Sequence, residues 1–280
     1  MSFYFKRSFF VAICLLLSQL ITADNPDFLV EKSGKGSNVI LFIPGFACAG
    51  EVWHEIRSAF ESNHTCYTFT MAGFAGAPPQ ASSTFANWES ALARFILDNH
   101  LYKPTIVGHS LGGGLAMAIA ADYPSLIGGI VVVDALPCLS ALRKPSFQSV
   151  DKPDCSYMLK GVEDADSVKF KKIQLANVRQ LVADTSYYNR LVEWSIKSDR
   201  TTFVNLYCDY ANTDLRQKIA TVQCPTLILL EEFFSNFSTG IDEQFSLLKS
   251  ARIEYATKGL HFIMYDDPEW LLSRMENFIK

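Results

Sequence analysis

Short apolar runs rich in β-branched residues alternate with amphipathic segments over most of the chain. The runs predict strands at FLVEKSG, NVILFIPG, CYTFTM, PTIVGH, GGIVVVD, PTLILLEE and RIEY. Helices are predicted between them, at about 51–60, 85–97, 111–123 and 243–249, with a last helix from Glu269. Strands that alternate with helices in this way are typical of a parallel sheet with right-handed crossovers. Because ILFI, TIV and IVVV are apolar at every position, we expect helices on both faces of the sheet.

The pattern changes between residues 138 and 222, where strand-like runs are absent. Amphipathic helical stretches replace them at about 167–182, 188–197 and 201–211. The predicted fold class is therefore α/β, with a mostly parallel central sheet flanked by helices. Residues 24–137 and 223–280 form its core, and residues 138–222 form a helical insertion.

The N-terminal residues have the pattern of a secretory signal peptide over residues 1–23. Lys6 and Arg7 precede an apolar stretch at 8–21, and Ala23 ends a small-residue cleavage site. The stretch has 14 residues, whereas a membrane-spanning helix needs about 18 to 20. We therefore expect a secreted or periplasmic protein with no stable membrane insertion after cleavage. An uncleaved membrane anchor is the alternative.

The charge and the cysteine content restrict the classes of protein to which this chain can belong. The formal net charge is −4 without a run of like charges, so no nucleic-acid-binding surface is predicted. No Cys/His cluster has the spacing of a zinc site, and no structural metal is expected. Either three disulfides, in any of 15 pairings, or buried free thiols are compatible with the cysteines outside the signal. These cysteines are Cys48, Cys66, Cys138, Cys155, Cys208 and Cys224.

The stretch IVGHSLGGGLAM places Ser110 between the end of a predicted strand and the start of a helix. Its Gly-x-Ser-x-Gly pattern runs from Gly108 to Gly112. Small residues are needed there because a nucleophile elbow brings strand and helix close together and strains the serine backbone. A serine N-cap on a glycine-rich helix is the alternative. The strand–turn–helix context favours a nucleophile.

A serine nucleophile needs a base, and His261 has the position expected for it. His261 follows the last short strand in ATKGLHFIMYDDPEW, 151 residues after Ser110. This spacing fits the chain order of serine, acid and histidine. His109 lies within the elbow, where its side chain points away from the hydroxyl. The other histidines, His54, His64 and His100, are interpreted as surface or packing residues.

Two places in the chain offer a carboxylate to orient the histidine. Asp134 ends the apolar strand IVVV, where an unpaired carboxylate is costly and an imidazolium would be a fitting partner. Glu231 and Glu232 follow the strand PTLILL, but Phe233 and Phe234 stand where an aspartate is expected. We favour Asp134, with Glu231 or Glu232 as alternatives; Asp134 would otherwise cap a turn.

Two backbone N–H groups are candidates for stabilising an oxyanion. Phe46 follows Pro44-Gly45 at the end of a predicted strand, so its N–H can point back at the elbow. Leu111 begins the helix after Ser110, and its N–H is free of helical bonding.

These residues give the chain a resemblance to the α/β-hydrolase superfamily over essentially its whole mature length. The motifs that carry it are FIPGF, GHSLGGG, VVVDALP, PTLILL and GLHFIMYDDPEW. The chain is most similar to capped bacterial serine ester hydrolases with a GHSLG elbow. The resemblance implies carboxylic-ester hydrolysis, a helical cap at 138–222 and no cofactor. The chain departs from the common pattern in having Pro44 before Gly45, no aspartate after PTLILL, and no strands before FLVEKSG.

The predicted function is a serine hydrolase that cleaves small to medium apolar carboxylic esters through an acyl-enzyme intermediate. Ser110, Asp134 and His261 are the predicted catalytic residues, and a small apolar ester is the predicted ligand. A thioesterase or amidase with the same triad is one alternative, and a non-catalytic ligand-binding protein of the same fold is another. Large apolar side chains in the insertion are candidates for its own core or for a pocket roof: Met158, Phe170, Tyr187, Trp194 and Phe203.

Overall fold

The computed structural model describes residues 26–279, so the predicted signal peptide at 1–23 lies outside the described residues. Within this range the strands form one seven-stranded sheet in the order β1-β3-β2-β4-β5-β6-β7. β1 runs antiparallel to β3, and every other neighbouring pair is parallel. The predicted mostly parallel sheet is confirmed. Its strands are β1 (Phe28–Gly34), β2 (Asn38–Ile43), β3 (His64–Met71), β4 (Thr105–His109), β5 (Gly129–Val133), β6 (Thr226–Leu230) and β7 (Ala251–Tyr255).

Helices connect and cover the strands. The α-helices are α1 (His54–Ser58), α2 (Phe85–Asp98), α3 (Leu111–Asp122), α4 (Ser156–Glu163), α5 (Ser167–Val178), α6 (Tyr188–Lys197), α7 (Arg200–Asn212), α8 (Ser238–Phe245), α9 (Ile263–Asp266) and α10 (Pro268–Phe278). Short 3-10 helices lie at Gly50–Trp53, Leu139–Leu142, Thr185–Tyr187, Lys218–Thr221 and Glu232–Phe237. None of the helices in residues 26–279 combines the length and the apolar content needed to cross a membrane.

Both faces of the sheet are covered, as the apolar strands predicted. In β2, Leu41 and Ile43 belong to one buried cluster, and Ile40 and Phe42 belong to the other. This division follows from the alternation of side chains along a strand. The first cluster includes residues of α2 and α3, and the second includes residues of α1 and α10.

Two predicted helices differ from the structure in their type or bounds. The segment predicted as a helix at 51–60 begins as the 3-10 turn Gly50–Trp53 and continues as the short α1. The turn is tied to β3, because the N–H of Gly50 donates to Oγ1 of Thr70 at 2.8 Å. The helix predicted at 243–249 is α8, which ends at Phe245. Its start lies earlier because Ile241 and Phe245, one helical turn apart, are both buried.

Between β5 and β6 the chain forms helices α4 to α7, which occupy the region predicted as the insertion. α5 packs on α6, and α4 packs on α7. α4 was absent from the predicted elements. The division into a core and a cap at residues 138 and 222 stays a prediction.

Within residues 26–279 the cysteines combine one disulfide with several buried free thiols. Cys155, just before α4, forms a disulfide with Cys208 in α7. The other cysteines in the described range are free and buried: Cys48, Cys66, Cys138 and Cys224. A framework of three disulfides was therefore wrong. Burial raises the pKa of the Cys48 thiol to about 12, so this side chain behaves as a small apolar group.

Candidate active site

Ser110 occupies a strained turn between β4 and α3. Its φ of 51° and ψ of −119° lie outside the regions that most L-residues adopt. Two backbone hydrogen bonds stabilise this strained conformation. The Ser110 N–H donates to the Val133 carbonyl at 2.9 Å, and the Ser110 carbonyl accepts from the Gly114 N–H at 3.0 Å. The Ser110 side chain makes no capping hydrogen bond to α3. The geometry therefore matches a nucleophile elbow rather than an N-cap.

The glycines around Ser110 are required by close backbone contacts. A Cβ at Gly108 would lie 2.1 Å from the carbonyl oxygen of Gly112. A Cβ at Gly112 would lie 2.4 Å from the carbonyl oxygen of Ile43. Because both neighbours are backbone atoms, neither can move aside for a larger residue.

Asp134 and His261 are joined by a short hydrogen bond, with Nδ1 of His261 and Oδ2 of Asp134 2.5 Å apart. The second oxygen of Asp134, Oδ1, accepts from the backbone N–H of Glu231 at 2.7 Å. Asp134 follows β5 with a φ of 49°, and its N–H donates to the Leu229 carbonyl at 2.8 Å. Of the candidate acids, Asp134 is therefore the one whose carboxylate holds His261. Its catalytic role stays a prediction.

Ser110, Asp134 and His261 line one cavity of about 310 Å³. This volume is within the range of small-molecule sites. The remaining walls are largely apolar and include Phe46, Ala135, Leu136, Leu139, Tyr210 and Phe234. The three predicted catalytic residues, which are far apart in the chain, thus face the same small apolar space.

The charges around His261 favour its protonated form. Burial lowers the pKa of His261, but the hydrogen bond to Asp134 and the negative charges of Asp134 and Glu231 outweigh it. The net effect raises the pKa above its usual 6.5. Burial and the neighbouring Asp134 also raise the pKa of Glu231 to about 7, partly opposed by His261. Glu231 is thus an electrostatic neighbour of the triad rather than its hydrogen-bonded acid.

A pH dependence follows, because His261 must be neutral to accept a proton from Ser110. We expect kcat/KM to rise with pH through the raised pKa of His261 and to be lost as pH falls below it. In Glu231→Gln one negative charge is removed, so the pKa of His261 falls. The acidic limb of the pH profile, where kcat/KM rises with pH, therefore shifts to lower pH. The exposed neighbour Glu232 provides the control, Glu232→Gln, whose limb should stay in place. An unmoved limb in Glu231→Gln would contradict the electrostatic role of Glu231.

The backbone N–H groups of Phe46 and Leu111 are both available for an oxyanion. Neither donates a hydrogen bond to another residue within 26–279. The Phe46 loop is closed by a hydrogen bond from the Cys48 N–H to the Gly45 carbonyl at 3.2 Å. It lies directly against the elbow, since a Cβ at Gly45 would be 3.2 Å from Cβ of Ser110. The predicted oxyanion donors therefore flank Ser110.

His109 has a role that its position in the sequence did not indicate. Its Nε2 lies 2.9 Å from the carbonyl oxygen of His261, and the two rings are 4.6 Å apart. Because a carbonyl can only accept, Nε2 of His109 carries the proton and donates it. Burial and the nearby His261 hold the pKa of His109 well below 6.5, so the ring stays neutral. His109 thus anchors the loop that carries the base.

The other histidines lie away from this site. His64 is buried at the start of β3 and packs edge-on against Phe60, whereas His54 and His100 are exposed. Of the large apolar residues predicted as pocket or core, Met158, Phe170 and Phe203 line a second cavity beside the first. Tyr187 instead stacks on Tyr265.

The sheet order, the elbow at Ser110 and the Asp134–His261 pair have the arrangement of the α/β-hydrolase fold. Residues 38–159 match the family model described as alpha/beta hydrolase fold. Among solved structures, a hydrolase from Pseudomonas aeruginosa PA01 matches with a TM-score of 0.75 and 14% identity, over 92% of this chain and 99% of that chain. At this identity the match shows the fold alone.

Curated relatives share low identity over much of the chain. The pimeloyl-[acyl-carrier protein] methyl ester esterase of Aeromonas hydrophila subsp. hydrophila is 23% identical over 259 residues, which cover 89% of this chain and 98% of that protein. The putative 2-succinyl-6-hydroxy-2,4-cyclohexadiene-1-carboxylate synthase of Bacillus subtilis (strain 168) is 23% identical over 183 residues, or 64% of this chain and 66% of that protein. These relatives differ in the reactions their names describe.

Proposed function

We propose that this α/β hydrolase acts on ester bonds and cleaves small to medium apolar carboxylic esters through an acyl-enzyme. The observation that carries the proposal is the 2.5 Å hydrogen bond between His261 and Asp134 in the cavity that Ser110 also lines. The apolar walls of this cavity support an apolar substrate. The similarity to an Aeromonas methyl ester esterase supports the choice of an ester.

The first half of the reaction forms the acyl-enzyme. Oγ of Ser110 attacks the carbonyl carbon while Nε2 of His261 takes the hydroxyl proton. Asp134 keeps the proton on Nδ1 of His261 and stabilises the imidazolium. The carbonyl oxygen gains negative charge and accepts hydrogen bonds from the N–H groups of Phe46 and Leu111. The carbon–oxygen ester bond then breaks, and His261 returns its proton to the leaving oxygen, so that an alcohol departs.

The second half releases the acid. Nε2 of His261 takes a proton from water, and the resulting hydroxide oxygen attacks the acyl carbon. The bond to Oγ of Ser110 breaks, His261 returns the proton to Oγ, and a carboxylic acid leaves. Atoms and charges balance over the cycle with ester and water as reactants, so no cofactor is required.

A fluorophosphonate probe and p-nitrophenyl esters of increasing chain length test the proposal. We expect the probe to label Ser110 and the protein to turn over the esters. Thioesters and amides of the same acyl groups, assayed in parallel, separate the alternative hydrolases. A folded protein that neither reacts with the probe nor cleaves any ester would contradict the proposal, and one that also leaves the thioesters and amides intact would favour a binding protein.

The proposed place of action is outside the cytoplasm, as a secreted or periplasmic protein. The apolar N-terminal stretch at 8–21 supports it, and so does the Cys155–Cys208 disulfide, because disulfides persist mainly in oxidising compartments. Mass spectrometry of the exported protein should find Asp24 as its first residue. A membrane-bound protein that retains residues 1–23 would contradict cleavage.

A further inference from the structure

A second cavity of about 490 Å³ adjoins the one at Ser110. Four residues line both cavities and form the boundary between them: Phe46, Leu181, Tyr207 and Phe262. The second cavity lies among helices α4 to α7, and Phe203, Val204 and Tyr207 of α7 give it an apolar wall. A substrate attacked by Ser110 can therefore extend past Phe46 into a larger space.

The α5 side of this cavity has a different chemistry. Gln174 and Asn177, one helical turn apart, both line it. Gln174 is 5% exposed as a whole residue. No hydrogen bond joins its side-chain amide to another residue within 26–279, and the amide is not among the fully buried polar groups that lack a partner, so it is accessible from the cavity that it lines. The amide of Gln174 can thus donate and accept hydrogen bonds with a group that enters the second cavity, next to the active site.

The same lining limits which group can bind there. Among the described residues that line the second cavity, none carries a formal charge. The nearest cation is Arg200, which lies over the Phe170 ring and donates to the Val162 and Ala165 carbonyls behind the lining. A carboxylate or ammonium would therefore find no charged partner on the cavity wall itself and would be disfavoured relative to a neutral group. A neutral group that donates or accepts hydrogen bonds, such as a hydroxyl, carbonyl or amide, can satisfy Gln174 without that cost.

The direction of the substrate follows from the position of His261. His261 must protonate the leaving oxygen, and it lines the first cavity but not the second. The alcohol part of an ester therefore lies in the first cavity beside His261. The acyl part points away from His261, past Phe46, and is the part that reaches the second cavity.

We propose that the preferred substrate is an ester whose acyl chain carries a neutral hydrogen-bonding group, several carbons from the ester bond, which binds the amide of Gln174. This inference rests on the proposed esterase function and specifies its substrate class. Gln174 is then a specificity-determining residue, and the apolar walls around it bind the intervening methylene groups.

The test compares p-nitrophenyl esters of hexanoate to decanoate with their ω-hydroxy counterparts. For the wild-type protein, kcat/KM should be higher for the ω-hydroxy ester at one or more chain lengths. In Gln174→Leu, which is similar in size but apolar, the ratio of the ω-hydroxy to the plain ester should fall about tenfold, mainly through KM. Gln223 is exposed and lies outside both cavities, so Gln223→Leu should keep the wild-type ratio.

Three results would overturn the inference. The first is a wild-type preference for the plain ester at every length, and the second is an equal slowing of both esters in Gln174→Leu, as a purely structural role predicts. A Gln174-dependent preference among ω-hydroxyalkyl acetates instead would place the alcohol part in the second cavity. Labelling of Ser110 by the probe shows that each variant is folded, and Gln174→Met replaces the leucine variant if that one is not. A wild-type protein that is neither labelled by the probe nor able to hydrolyse the acetates would instead refute the esterase function itself.

Discussion

Replacement of Ser110 by alanine is expected to lower kcat for p-nitrophenyl butyrate by at least about 10³-fold, the scale found for other catalytic triads. The variant lacks the oxygen that forms the acyl-enzyme, so fluorophosphonate labelling should be lost as well. The fold should be retained, because the Ser110 hydroxyl makes no capping bond to α3. The backbone bonds of residue 110 to Val133 and Gly114 do not involve the side chain.

The measurement combines kcat, probe labelling and the thermal midpoint. Ser273 lies exposed on α10, so Ser273→Ala provides a matched control that should keep wild-type turnover. Wild-type turnover in Ser110→Ala, with any ester, would remove the basis of the proposed function.

Asp134→Asn is expected to lower kcat by about 10⁴-fold, as seen when a triad aspartate is amidated. The amide can still accept from the Glu231 N–H, but it presents N–H donors to Nδ1 of His261. The histidine proton is then forced onto Nε2, which can no longer accept the proton of Ser110. Stability should change little, because asparagine tolerates the positive φ of residue 134.

Parallel variants at the other carboxylates separate the alternatives for the acid. Glu231→Gln and Glu232→Gln should each cost about tenfold in kcat at most. The reverse ranking, with a large loss in a Glu231 or Glu232 variant, would move the acid to the segment after β6. Asp134 would then be a turn residue whose loss affects the thermal midpoint rather than kcat.

The parts of the site that could be predicted from sequence are those set by local patterns. Ser110 lies where an apolar strand meets a glycine-rich helix, and the backbone contacts of Gly108 and Gly112 explain why that pattern is restrictive. His261 follows the last strand, at a position that the chain order of this fold defines. Such signals depend on neighbours in the chain and need no knowledge of the packing.

The parts that escaped prediction depend on contacts between distant segments. Asp134 was favoured over Glu231 from the sequence, but the contacts of its carboxylate could not be predicted, because the pairing of β5 with β6 brings the Glu231 N–H to Asp134. The pairing of Cys155 with Cys208 depends on how α4 packs on α7. Gln174 has no unusual sequence context, and only the packing of the helices around it places it in the wall of a cavity. Each of these facts arises from tertiary structure.

The predicted acid, Asp134, lies at the end of β5, and this position has a consequence for how the protein can diversify. The hydrogen bond from the segment after β6 to Asp134 is donated by a backbone N–H, that of Glu231, and any residue except proline can supply that group. The 3-10 helix Glu232–Phe237 therefore does not need to supply the carboxylate that binds His261. Its Phe234 forms part of the cavity wall, while Phe233 and Phe237 are more than half exposed. This segment is a natural place for loop grafting and directed evolution, since it can reshape the substrate pocket while the proton-transfer residues stay unchanged.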